Sequence, residues 1–194
     1  MRRVLRKLGP ADYREMPWKN GGGSTTELLI HPPGATLEGG FLWRLSMADV
    51  AGSGPFSPFP GVDRTLLLLS GNGMELDHGE HGRQTLAGPL EPVTFSGDWA
   101  TRGRLLDGPC RDFNVLSARG RVRHQVKVLR LGKEPVILPA ARTLVALCVR
   151  GRAVVAGTAL EVSELVLVEE EGAQEAWAGS ELGVLVVVGF SDPA

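Results

Sequence analysis

The sequence predicts an all-β protein made of two small barrels in tandem, and three observations carry that reading. Apolar residues come in bursts of strand length rather than at helical spacing. The bursts are separated by Gly, Pro, Asp or Asn, and the 194 residues include 26 Gly and 13 Pro, a turn-rich composition. A pattern also recurs: Thr65-Leu-Leu-Leu-Leu69 followed by Gly71 and Gly73 is echoed by Thr143-Leu-Val-Ala-Leu147 followed by Gly151. Each is followed by a small turn, an apolar burst (Val93–Phe95; Leu165–Val168) and a turn with a tryptophan just beyond it (Trp99; Trp177). Regular short strands build sandwiches or small barrels, and the repetition favours two barrels over one irregular sandwich. The division falls near Arg119–Val122, giving an N-terminal barrel over residues 1–120 and a C-terminal one over 121–194.

In order along the chain, the first set of strands is expected near Thr25–Ile30, Leu42–Ala48, Thr65–Leu69, Met74–Asp77, Leu90–Phe95, Ala100–Leu106 and Asp112–Ser117. The second set is expected near Val122–Leu129, Thr143–Val149, Ala153–Val155, Glu164–Val168, Glu175–Ala178 and Val184–Phe190. A short turn or helix fits only around Ala48–Gly52 or Pro10–Arg14.

Bulk properties narrow the function. A hydrophobic fraction of 43% supports a real core. With 21 basic against 22 acidic residues there is no electrostatic footprint for nucleic acid or an anionic membrane. Apolar runs such as Val184–Val188 are far too short to span a bilayer. The basic stretch Met1–Lys7 is not followed by the apolar segment of a signal peptide. Cys110 and Cys148 form no CxxC, so neither a disulfide framework nor a cysteine zinc site is expected. A cytoplasmic protein is the expectation.

The most informative stretch is Met16-Pro-Trp-Lys-Asn-Gly-Gly-Gly-Ser-Thr-Thr-Glu27. Three consecutive glycines are locally costly and are kept where backbone takes φ > 0 or approaches something closely. Successive N–H groups in such turns can also form an anion-binding nest. Trp18, Lys19 and Asn20 beside them favour a binding site over a flexible loop.

Alternation sorts the polar residues of two strands onto faces. Leu42, Arg44, Ser46 and Ala48 share one face; Cys110, Asp112, Asn114 and Leu116 share another, and Arg64 enters the apolar strand Thr65–Leu69. If these faces line a barrel lumen, two guanidiniums and their polar neighbours form a concave pocket, and Arg pairs with carboxylates through planar double hydrogen bonds. Strands with one solvated face carry the same periodicity. The loop Gly54-Pro-Phe-Ser-Pro-Phe-Pro-Gly-Val-Asp-Arg64 is suited to wall a pocket mouth with Phe56 or Phe59, or to pack those rings on the core.

Other chemistries find little support. His78 and His81 lie in a charged Gly-rich turn and read as exposed loop histidines; His31 and His124 suggest no ligand either. HExxH, the phosphate-binding P-loop and GxSxG are absent. Cys110 has no histidine evidently paired with it and reads as a small buried thiol. Neither metal nor other cofactor is expected.

Trp18-Lys-Asn-Gly-Gly-Gly-Ser-Thr-Thr-Glu27, Trp43-Arg-Leu-Ser46, the Gly54–Arg64 loop and Leu106-Asp-Gly-Pro-Cys-Arg-Asp-Phe-Asn114 occur in order, and together they resemble the HutD/Ves family over roughly the first 120 residues. The resemblance implies a double-cupin (bicupin) fold, in agreement with the tandem barrels. It also implies a small-molecule-binding protein associated with histidine utilisation, acting as a sensor or regulator. Many cupins hold a metal on HxH with a further Glu and His; HxH is missing here, so that chemistry is not carried over. The ligand expected is a small carboxylate such as urocanate or formylglutamate. Arg44 and Arg64 would clamp the carboxylate, with Ser46 orienting the set. Asn20, Asp112 and Asn114 would read the remaining polar atoms, Trp18 and Phe56 would form flat walls, and the Gly21–Gly23 backbone, Gly22 at its centre, would donate N–H groups. Glu27 would support an Arg or Lys19. The alternative is a metal-independent isomerase or hydrolase with Asp112 or Glu27 as general base. A buried carboxylate beside two Arg is expected to have a lowered pKa, which favours a binder. The second barrel, poor in ligand groups, reads as scaffold and interface, compatible with a homodimer.

Overall fold

The computed structural model describes residues 4–18, 21–169, 172–179 and 182–193. Contacts divide the chain into two compact units: one is Tyr13–Val122, and the other joins the chain up to Asp12 to the chain from Arg123 onward. In sequence order, β1 (Val4–Leu8) belongs to the latter. The Tyr13–Val122 unit contains β2 (Arg14–Pro17), β3 (Gly23–His31), β4 (Trp43–Val50), β5 (Gly54–Pro55) and β6 (Val62–Ser70). It continues with β7 (Met74–Asp77), β8 (Arg83–Leu86), β9 (Val93–Ser96), β10 (Arg102–Leu105) and β11 (Cys110–Ala118). The other unit resumes with β12 (Arg123–Leu131), β13 (Val136–Ile137), β14 (Thr143–Arg150) and β15 (Ala153–Val155). It ends with β16 (Thr158–Leu160), β17 (Leu165–Glu169), β18 (Glu175–Trp177) and β19 (Gly183–Ser191). Among the described residues, helix is confined to single 3-10 turns at Pro10–Asp12 and Gly79–His81.

The protein is all-β, and the internal repeat is visible strand by strand. The Tyr13–Val122 unit has sheets ordered β2-β3-β4-β11-β6-β9 and β5-β10-β7-β8; the other unit has β1-β17-β14-β19-β12 and β13-β18-β15-β16. Thus β4 to β11 and β12 to β19 pair in the same order in both the larger and the smaller sheet. A bulge marks equivalent positions. Asp112 and Arg111 of β11 face Leu68 and Ser70 of β6, and Leu185 and Val184 of β19 face Cys148 and Arg150 of β14. Leu68 therefore corresponds to Cys148, two residues from the match read off the Thr-Leu pattern. A slip of two leaves every side chain on its face, which is why the repeat was legible despite it.

The departures from expectation have local causes. β1 pairs with β17 from Val4↔Glu169 to Leu8↔Leu165, so the start of the chain completes the second unit. Only Leu8 of that strand is buried, which leaves little apolar pattern to read. β8 carries one buried residue, Leu86, and β5 and β13 are two residues long, too short for a periodicity. The expected turn at Ala48–Gly52 is strand as far as Val50, because Val50 is buried and paired with both Gly23 and Cys110. The turn sits instead at Pro10–Asp12, closed by the Asp12 N–H on the Gly9 carbonyl at 2.9 Å.

Two glycines of the triplet show why it is kept. Gly21 has φ +71°, a left-handed conformation that favours glycine. Gly23 starts β3 against the Asp49 backbone, and an added Cβ would collide with the Asp49 carbonyl and press on the Trp18 ring. Gly23→Ala should therefore lower the unfolding free energy by about 1–3 kcal/mol, measured by urea denaturation; unchanged stability would show that the β3–β4 start can move aside.

Candidate functional site

The inner face of β4, β11 and β6 carries the polar residues in register. Arg44 and Arg64 flank Leu116 in one row, Ser46 and Leu66 flank Asn114 in the next, and Ala48 and Leu68 flank Asp112 in the third. This face lines a cavity of about 640 Å³ within the Tyr13–Val122 unit. Trp18, Gly22, Arg44, Ser46, Phe56, Arg64, Asp112 and Asn114 all reach it. Arg44, Arg64 and Asp112 are only 4%, 3% and 1% exposed, so three charge-bearing groups have been taken almost wholly out of water.

Each guanidinium is held on one side and left unpartnered on the other. Arg44 Nε donates to Glu27 Oε2 at 2.6 Å and Nη1 donates to Ser46 Oγ at 3.2 Å, while Nη2 has no partner. Glu27 thus supports Arg44, the role expected of it. Arg64 Nη1 donates to the Ser57 carbonyl at 3.2 Å, and its Nε has none. The Arg64 guanidinium carbon lies 5.2, 5.3 and 5.0 Å from the ring centroids of Phe56, Phe59 and Phe95. This aromatic cage desolvates the cation while offering π faces to it. Burial pushes the Arg64 pKa down to about 10, opposed by Asp112 and aided by Arg44, which still leaves it charged at neutral pH.

Asp112 departs from expectation. Its pKa is pushed up to about 7 by burial, which outweighs the opposing Arg64; Asp49 adds to the rise and the Ala48 backbone works against it. The expected lowering fails because the neighbours of Asp112 in its row are Ala48 and Leu68, not an arginine. Asp112 Oδ1 and Asn114 Oδ1 both lack a hydrogen-bond partner. Four unpartnered polar atoms, two donors and two acceptors, therefore belong to residues lining one cavity.

The remaining expected residues are placed as follows. Trp18 Nε1 donates to Thr25 Oγ1 at 2.7 Å, and its ring packs on the apolar core of the unit as a cavity wall. Phe56 is both wall and part of the Arg64 cage. The Gly21 N–H is used within its turn, donating to the Trp18 carbonyl at 3.0 Å, rather than offered to a ligand. Asn20 and Lys19 lie outside the described residues. Phe95 escaped sequence reasoning: it reaches Arg64 because β9 pairs with β6 at Arg64↔Phe95, a long-range pairing with no local signature.

Of the two turn histidines expected to be exposed, His81 is exposed and His78 is not. It is 2% exposed, with Nδ1 at 2.8 Å from Thr101 Oγ1, Nε2 at 3.0 Å from Gln84 Oε1, and its ring against Phe95 and Trp99. Both ring nitrogens are thus engaged in holding the wall behind the Arg64 cage. His81 stacks on Trp99 with centroids 4.6 Å apart. Cys110 is buried, with Sγ 3.5 Å from the Gly73 carbonyl.

A cupin-type metal does not fit this cavity. Its described lining offers one carboxylate, Asp112, no imidazole, and two guanidiniums that would repel a cation. Among the described residues, no group of three or more His, Cys, Asp or Glu is placed to hold a metal ion. No helix among them is long and apolar enough to cross a membrane.

Two repeated β units, one with a polar-based cavity, define a double-cupin protein. The oxalate decarboxylase of Lactobacillus farciminis shares this fold, with a TM-score of 0.70 over 97% of this chain and 86% of that one, at 10% identity. The family described as HutD matches residues 10–184, and the chain belongs to it. A 21.2 kDa protein in the hutC 3′ region of Pseudomonas putida is 43% identical over 124 residues, 63% of this chain and 63% of that protein. Protein Ves of Citrobacter koseri is 40% identical over 121 residues, 60% of this chain and 61% of Ves. These matches thus span less than two thirds of either relative. Among solved structures, HutD of Pseudomonas fluorescens SBW25 is similar with a TM-score of 0.82 and 32% identity, covering 98% of this chain and all of that one (100%). The conserved protein PA5104 of Pseudomonas aeruginosa PAO1 is similar with a TM-score of 0.87 at 32% identity, covering 97% and 100%.

The raised pKa of Asp112 has a stability consequence. The native state keeps this proton to higher pH than the unfolded chain, so the group costs stability progressively between about pH 4 and pH 7. Asp112→Asn should gain stability relative to the wild type across that window. Urea denaturation at pH 4.5 and 7.5, as roughly the two ends, measures it; a pH-independent difference would place the Asp112 pKa near its ordinary value.

Proposed function

We propose that the cavity of the Tyr13–Val122 unit binds a small carboxylate, and that the protein serves histidine utilisation as a sensor or regulator, with urocanate or formylglutamate as ligand. The observation that carries this reading is the pair of unpartnered donors on buried cations, Arg44 Nη2 and Arg64 Nε, on residues that line one cavity. A buried donor without an acceptor costs roughly 1–3 kcal/mol, and a carboxylate supplies acceptors to both and balances their charge. Membership of the HutD family and the relative in a hutC 3′ region support the pathway.

Arg64→Ala should weaken urocanate or formylglutamate binding by about tenfold to a hundredfold in isothermal titration calorimetry, with the far-ultraviolet spectrum unchanged. Undiminished affinity in a folded variant would remove Arg64 from the site.

One observation favours a second reading, a metal-independent isomerase or hydrolase. A carboxylate titrating at about 7 is poised to act as a general base, whereas Glu27 is committed to Arg44. As a binder, the protein should leave urocanate and formylglutamate unchanged at pH about 8, where Asp112 is ionised. Product formation that disappears in Asp112→Asn, with binding retained, would make it an enzyme.

A further inference from the structure

We infer that this cavity selects, among small carboxylates, those whose far end donates a hydrogen bond through N–H or O–H, with Asp112 and Asn114 as the selecting residues. The inference rests on the carboxylate reading of the two arginines and extends it to the other half of the site.

The geometry is a graded strip along β11. The arginine row lies at Leu116, Asn114 is one inward step away and Asp112 two. Inward steps on a strand are about 7 Å apart, and the Arg44 guanidinium reaches the Ser46 row, so about one such step separates it from the Asp112 row. Asn114 Oδ1 and Asp112 Oδ1 are buried and unpartnered. The ladder neighbours of Asp112 are Ala48 and Leu68, which cannot hydrogen-bond it through their side chains. Arg44 and Arg64 are turned to their own partners, Glu27 with Ser46 and the Ser57 carbonyl. The charged groups acting on Asp112 are Arg64 from β6 and Asp49 from β4. Apolar walls, Trp18, Phe56 and Met74 among them, complete the cavity.

If the far end of a ligand that reaches Asp112 is hydrocarbon, the two buried acceptors stay unpartnered. If it carries an N–H or O–H, they are satisfied. Sites built to hydrogen-bond a ligand reject analogues lacking that group far more strongly than apolar pockets reject a change of size.

The equivalent barrel supports the assignment by contrast. Where the first repeat has Asp112 and Asn114, the register places Leu185 and Val187 in the second, within a core cluster of wholly apolar side chains. The fold at these positions does not require a carboxylate or an amide.

The test compares two planar acrylates with five-membered rings, urocanate with ring nitrogen and N–H, and 3-(2-thienyl)acrylate with neither. Calorimetry at pH about 8 keeps Asp112 ionised. The wild-type protein should bind urocanate at least about tenfold more tightly, and Asp112→Leu should lose most of that ratio by weakening urocanate alone. Equal binding of both acids to the wild type would overturn the inference and leave the carboxylate reading standing. Binding of neither would overturn both. Should Asp112→Leu fail to fold, the wild-type ratio alone decides.

Discussion

The site depends on one constraint: two guanidiniums and a carboxylate are buried on the same sheet face without satisfying one another. Arg44 is braced by Glu27 and Ser46, Arg64 by the Ser57 carbonyl and three phenyl rings, and Asp112 stands between Ala48 and Leu68. Buried ionic groups are stabilising only when their hydrogen bonds are met. Here each keeps an unmet atom on a cavity-lining residue. The surrounding architecture serves to hold that arrangement open. The Pro-rich loop brings Phe56 and Phe59 over Arg64, β9 brings Phe95, and the glycine turn lets Trp18 close against β3. Behind them His78, bonded at both nitrogens, backs Phe95.

The two repeats show how little backbone change separates a site from a scaffold. Their strand orders match, and each carries its bulge at the same place. Register sets Arg64, Asn114 and Asp112 against Leu144, Val187 and Leu185. The second set is packed among apolar neighbours, where each fully buried branched side chain stabilises by roughly 1.5–3 kcal/mol. The first gives up that contribution for polar side chains on cavity-lining residues, the usual direction of exchange between stability and function.

Much of this was legible in the sequence because strand periodicity is strict. Alternation alone put Arg44 with Ser46 and Asp112 with Asn114, and the structure turns both faces inward. The repeat was legible for the same reason, since an error of two residues preserves the face. Long-range pairing left no such trace. Nothing local marks that Phe95 lies beside Arg64, or that β1 pairs with β17. The raised pKa of Asp112 leaves no trace in the sequence, because the pattern does not reveal which neighbours share its row; Ala48 and Leu68 do, and desolvation prevails. The burial of His78 is hidden in the sequence because the Gly and charged residues around it suggest a solvated turn, whereas its ring packs against Phe95 and Trp99.

The most direct test of this account is a crystal structure of the protein grown with saturating urocanate. The carboxylate should lie within hydrogen-bond distance of both Arg44 Nη2 and Arg64 Nε, with the ring reaching toward Asp112. A structure in which those two N–H groups meet protein acceptors, and the urocanate is absent from the cavity or bound elsewhere, would contradict it.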